Sequence, residues 1–288
     1  VDSNLTGYDL GLETARSGGS APLPDPDRPL KPAPASFNEK LQAYPEAIRE
    51  TVAHGIAKLV DYQDEAYAEL YLDRLETVLA LDDLSSLVLT REVAQRLALW
   101  MSFEDVIRVA QLKTRPGRLN RIRGELNVDE DTPLLLTDYF KPGRDEFVGI
   151  LPPSLAWIVP NIKKLQRGNG MALHIPTGSA FGFALLKFLA SLKFVRKKSA
   201  QYIEETEYML EWLEAVKAAA SKDYDLACQT ARLSIWARGY GNVRRGGQKN
   251  LTAIFKDWQS KLDAGIDKVS AEVDQSLLLA HANPDATH

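Results

Sequence analysis

The residues best suited to bind something lie in Trp236–Lys249, which holds four glycines and four cations without one acid. Glycine reaches positive φ and lets backbone N–H groups come close to a ligand. The pattern predicts a following helix that begins near Asn250, whose unpaired amides would add to a site for phosphate or carboxylate. Arg238, Arg244, Arg245 and Lys249 are the candidate cations of that anion pocket, with Gly239, Tyr240 and Gly241 as its backbone. The competing reading is a tight connection whose arginines pair with carboxylates of a neighbouring helix or subunit. The run is neither a P-loop nor a dinucleotide fingerprint, which favours that competitor.

A second basic segment runs from Arg108 to Arg123 and also lacks an acid. Arg115, Arg118 and Arg121 recur every third residue, a spacing that stacks them on one helical side. No aromatic platform or base-reading motif accompanies them, so a solvated or subunit-facing helix is expected rather than a nucleic-acid contact. Asp61 and Glu65 fall at i and i+4 within a stretch of acids and tyrosines. Di-metal bundles add Glu-x-x-His motifs, which this chain lacks. Tyr67 and Tyr71 are instead expected to pack and to hydrogen-bond through their hydroxyls. The four histidines are scattered, so neither a Ser–His–Asp arrangement nor a Cys/His metal set is defensible. His174, between Leu173 and Ile175, reads as a partly buried polar residue. No catalytic residue and no metal ligand is predicted.

The elements that must carry these residues are mostly helices. A short amphipathic stretch over 1–16 has apolar residues at Val1, Leu5, Tyr8 and Leu12. It reads as the closing helix of an upstream domain. The proline-rich segment 17–36 cannot form a helix or a central strand and reads as an extended linker. Residues 37–288 read as a mainly helical, multi-helix domain with a small β element near its middle. Tyr44 to Leu81 is predicted as two helices or one bent one. Leu89 to Thr114 follows, with Thr90 as a first cap and Ser102–Asp105 as a second, until Pro116-Gly117 breaks it. Leu134–Phe140 is a candidate strand, with Phe147–Ile150 as its hairpin partner and Ala172–Ile175 as a third strand. Helices return over Ser199–Lys217, Asp223–Arg238 and Leu251 to about Ala280.

With 288 residues and a net charge of −4, the chain is neither small nor basic, which argues against a whole-protein nucleic-acid binder. Its single cysteine, Cys228, cannot close an internal disulfide. Nor can this chain alone hold an iron–sulfur cluster, which takes about four thiolates. Ala180–Val195 is about four residues short of a membrane span and carries Lys187 and Lys193. A buried amphipathic helix is expected there, no membrane association, and a cytoplasmic location.

Several stretches together resemble one family. Val1–Tyr8 resembles the closing helix of the gamma-type domain of 2-oxoacid:ferredoxin oxidoreductases. Leu59–Asp64, Ala68–Tyr71, Met101–Gln111, Phe140–Gly143 with Glu146-Phe147, and Gly239–Gly241 with Arg245-Gly246 resemble, in order, the domain that follows it in the beta subunit of bacterial indolepyruvate oxidoreductases. One departure is Asn242-Val243, where the family pattern has Asp-Thr. The resemblance implies a heteromeric complex that oxidatively decarboxylates aryl 2-oxoacids such as indolepyruvate. It implies an alpha subunit that carries thiamine diphosphate and the iron–sulfur clusters, with none in this chain. The expected partners are that alpha subunit and the upstream domain of the same chain. The expected role is structural and subunit-docking. The alternative is an independent helical binding module for phosphate-bearing ligands or nucleic acid.

Overall fold

The computed structural model describes residues 32–129, 134–140, 148–158, 173–239 and 241–282. The expected helix over 1–16 and most of the linker lie outside these residues. The described chain is a multi-helix, mainly α domain with one small sheet, as the periodicity predicts.

Its first half comprises α1 (Asn38–Ala43), α2 (Glu46–Tyr62), α3 (Glu65–Leu79), α4 (Val88–Met101), α5 (Val106–Lys113) and α6 (Arg118–Leu126). After β1 (Asp138–Phe140) and β2 (Leu173–Ile175) come α7 (Ala180–Ser191) and α8 (Ala200–Ala220). The second half ends with α9 (Tyr224–Arg232), α10 (Gly241–Phe255), α11 (Trp258–Ala264) and α12 (Ile266–Ala282). Short side-chain caps mark five of the helix starts. Asp64, Asp105, Ser179, Ser199 and Asp223 each accept the backbone N–H three residues on, which satisfies one orphan donor of the first turn.

Tyr44–Leu81 is therefore two helices, divided where Asp64 caps α3. The cap of α5 is Asp105 rather than Ser102, whose hydroxyl donates back to the Ala98 carbonyl. Thr90 is not a cap either. It lies inside α4, and its amide donates to Asp82 at 2.7 Å. The expected final helix is broken at Asp257, which has positive φ, and again at Gly265, giving α11 and α12.

The sheet corrects the hairpin reading. β1 pairs antiparallel with β2, Tyr139 opposite His174. Residues 148–150, part of the expected partner strand, are helical. His174 is exposed, with the Tyr139 ring 4.6 Å away in an edge arrangement.

The main core joins two blocks distant in sequence. α4 packs on α2, α3 and α9, and buries Leu89, Val93, Leu97 and Trp100 among them. Trp100 and Trp212 of α8 meet with ring centres 5.4 Å apart. Tyr67 and Tyr71 do as expected: their hydroxyls donate to the carbonyls of Met101 and Ala94, at 3.0 and 3.1 Å. A second, smaller cluster of Ala110, Ile175 and Leu186 joins α5, β2 and α7.

α7 departs from expectation. Only Gly182 and Leu186 of it are buried, while Phe181, Phe183, Leu185 and Phe188 are exposed. Hydropathy gave the apolar run but not what covers it. No helix among the described residues is long and apolar enough to cross a membrane.

Candidate functional site

The glycine-rich run is built differently from an open loop. After α9 the chain tightens into a 3-10 turn over Leu233–Ala237, pinned by Trp236, whose indole N–H donates to Ser276 Oγ at 2.8 Å. Gly239 and Gly241 then take positive φ and reverse the chain. α10 starts at Gly241, not near Asn250, so Gly246 and Gly247 are helical. A Cβ added at Gly247 would stand 1.9 Å from the Trp236 carbonyl oxygen. Close packing of α10 on the turn, rather than a ligand, accounts for that glycine.

The predicted site residues are not gathered at one point. Arg238 and Gly239 line a cleft of about 350 Å³ with Trp236, Val243 and His281. Arg245 and Lys249 are exposed one turn apart on α10. Tyr240 lies outside the described residues. Arg244 is buried and faces Glu205 of α8, which is the carboxylate pairing that the sequence kept as the competing reading. Its Nε donates to Glu205 Oε1 at 2.7 Å and its Nη2 to Oε2. Trp100 Nε1 adds a hydrogen bond to Oε2 at 3.0 Å, and Gln248 Nε2 one to Oε1 at 3.4 Å. Burial pulls the Arg244 guanidinium down to about 10, which still leaves it charged at neutral pH.

A second buried node escaped the sequence reading. Arg196, in the 3-10 turn Leu192–Lys198, is 0% exposed. Its Nε donates to Asp105 Oδ2 at 2.6 Å, and its Nη1 to the Tyr62 carbonyl at 2.6 Å and to Gln63 Oε1 at 2.9 Å. Its guanidinium carbon stands 4.1 Å from the Tyr62 ring centre, a cation–π contact. Burial, followed by the Asp105 charge, raises the Tyr62 hydroxyl well above its ordinary range, so it stays a neutral donor to Asp105. One guanidinium thereby fastens α2, α5 and the segment before α8. In sequence, Arg196 is the first member of an Arg-Lys-Lys run, and nothing local distinguishes it from the solvated Lys198.

The other basic segment is consumed in pairing. Arg108 and Arg115 both pair with Asp61, and Lys113 and Arg118 with Asp138. Burial alone would raise Asp138. The hydrogen bonds from Lys113 and Thr177 outweigh it, and hold the carboxyl below its usual value. Asp61 is likewise depressed, as Arg108 and Arg115 overcome the effect of burial. The helix breaks between Lys113 and Arg118, so Arg115, Arg118 and Arg121 do not form one stack. Lys113, Arg115 and Arg118 line a cleft of about 270 Å³ with Phe183 and Lys187. Asp61 is taken by Arg108 and Arg115 and Glu65 accepts from Ser36, and no group of three or more metal-ligating side chains occurs among the described residues. Cys228 is buried, and burial pushes its thiol up to about 11, so it is protonated at neutral pH.

The model of a family of unknown function, DUF6537, matches residues 48–257, and the chain belongs to that family. No curated protein and no solved structure gives a match.

Proposed function

We propose that this member of the DUF6537 family is a structural and subunit-docking part of a heteromeric 2-oxoacid oxidoreductase of the indolepyruvate type. The observation that carries the reading is where the resembling segments meet. Leu59–Asp64 supplies Tyr62 and Gln63 to Arg196. Met101–Gln111 supplies Asp105, and Gln111 Oε1 adds a 3.4 Å contact to the same guanidinium. Two of the segments that make the chain look like that family thus build a fastening, which suits a scaffold, while Gly239 of another lines the cleft beside Trp236. In this reading thiamine diphosphate and the iron–sulfur clusters belong to the alpha subunit, and the aryl 2-oxoacid reacts there, in the cytoplasm.

The test is indolepyruvate-dependent viologen reduction by the beta chain co-expressed with its alpha partner, compared with a version that ends at Arg16. The expected result is loss of both activity and co-purification on truncation. Unchanged activity and co-purification would overturn the docking role.

A further inference from the structure

The surface of α7 is the wrong one for water. Its packed side, Gly182, Leu186 and the partly buried Leu189 and Ala190, rests on α5 and β2. At roughly 100° per residue, Ala184 and Ser191 form the opposite crest. Phe181 and Leu185 flank that crest on one side, Phe183 and Lys187 on the other. Every one of these is exposed, Phe181 by 78% and Phe188 by 62%. The next turn adds Phe194 at 75%. The Ala200 amide donates to the Leu151 carbonyl at 2.9 Å, so the turn that carries Trp157, 79% exposed, starts near the end of the same segment. Scattered single apolar residues are ordinary on a surface, but a helix whose outer arc is almost wholly apolar marks an interaction site.

The charge carried by this segment itself has one sign. No acid occurs between Thr177 and Ile203, whereas Lys187, Lys193, Lys197 and Lys198 do. Lys187 stands 5.9 Å from the Phe183 ring centre and lines the 270 Å³ cleft with Lys113, Arg115 and Arg118, beside the apolar crest. The described residues lining that cleft include no carboxylate. The shape separates a protein from a bilayer. Phe183 and Leu185 point about 160° apart around the helix, so a flat surface cannot take both. A groove can enclose both, with the small crest residues Ala184 and Ser191 allowing a close approach.

We propose that α7 inserts into an apolar groove on the alpha subunit, and that a carboxylate on the rim of that groove enters the cleft beside Lys187. The inference rests on the docking reading and names its surface. Phe181 and Phe188 are the anchors, since exposed aromatic groups that become fully desolvated carry most of an interface's energy. Lys187 sets register through charge.

The experiment co-expresses the full chain with the alpha subunit and measures retention of alpha on the tagged chain. The variants are Phe181→Ser with Phe188→Ser, and Lys187→Glu alone. Both changes lie on exposed positions, and circular dichroism melts check that the fold is kept. Retention is expected to fall by about tenfold or more in each variant. The unsubstituted pair should also weaken as salt rises. Unchanged retention in both variants overturns the α7 site and leaves the docking reading standing. Failure of the unsubstituted chain to hold alpha overturns the docking reading, and this inference with it. Two control arms use the chain alone. Phenylalanine-dependent sedimentation with vesicles containing phosphatidylglycerol would make a lipid surface the occupant and sink the proposal. A dimer that the double serine variant dissolves would make the occupant a second copy, and would sink it equally.

Discussion

Arg196 shows what one side chain can decide and how little of it is local. A guanidinium with no solvent exposure must have its donors filled, and here Asp105, Gln63 and the Tyr62 carbonyl fill them. Leaving the buried Asp105 without its cation is the costly outcome, about 3–5 kcal/mol for a broken buried pair. Arg196→Met should therefore lower the unfolding free energy in urea by about that amount. Lys197→Met should change it by less than about 1 kcal/mol, because its pair with Asp64 is open to solvent. Equal, small effects would remove Arg196 as the fastening. The two lysines and the arginine read alike in the sequence because composition reports charge and not direction. Glu205 escaped notice for the same reason. It sits in a helix with other glutamates, and what turns it inward are partners far along the chain, Arg244 and Gln248 on α10 and Trp100 on α4. Arg244 is legible as a cation suited to an anion, and the anion it meets is Glu205.

Two helix starts capped by a short polar side chain were legible, although the same kind of cap at Asp64 was not. Asp223 before α9 and Ser199 before α8 announce themselves because the geometry they need is local. The start of α10 was not legible. Glycine costs a helix about 1 kcal/mol relative to alanine, so Gly239–Gly247 reads as a loop. Packing overrides that preference at Gly247, where the Trp236 carbonyl leaves no room for a Cβ. Gly247→Ala should then destabilise rather than gain the usual helix propensity, by about 1–3 kcal/mol as an overpacked site. The signature would be a lowered melting temperature together with a more quenchable Trp236. An unchanged or raised melting temperature would mean that the turn and α10 can separate freely. The β element was legible as existing near the middle of the chain but not in its pairing. Three-residue strands hold too little pattern to specify a partner, and the partner that forms lies across a long connection.

The whole molecule divides by what holds it. α1–α4 and α8–α12 share one extensive apolar core, whereas among the described residues the middle of the chain has the small cluster of Ala110, Ile175 and Leu186. Among the described residues, what ties that middle lobe down is largely ionic: Arg196 with Asp105, Arg108 and Arg115 with Asp61, Lys113 and Arg118 with Asp138. A region poor in buried apolar contacts opens at lower free energy than the core it joins. Its opening should depend on acid. Asp138 and Asp61 both titrate below their ordinary values in the folded chain. Their stabilisation is therefore fully present above the unfolded carboxylate value of about 3.9. It is lost as pH falls through the lower folded values, because the open state then binds more protons. Hydrogen-exchange protection measured from about pH 6 down to about pH 3 should fail first in α5, α6 and α7, while α4 and α9 remain protected. Asp138→Asn should lower protection of α5 and α7 already at the upper end of that range, and flatten its further fall. Simultaneous loss of protection in both regions would mean that the ionic ties add nothing beyond the shared core. Sequential loss would mean that the lobe carrying α7 is held by charge, and is the part of this chain most readily stabilised by a partner that covers its exposed phenylalanines.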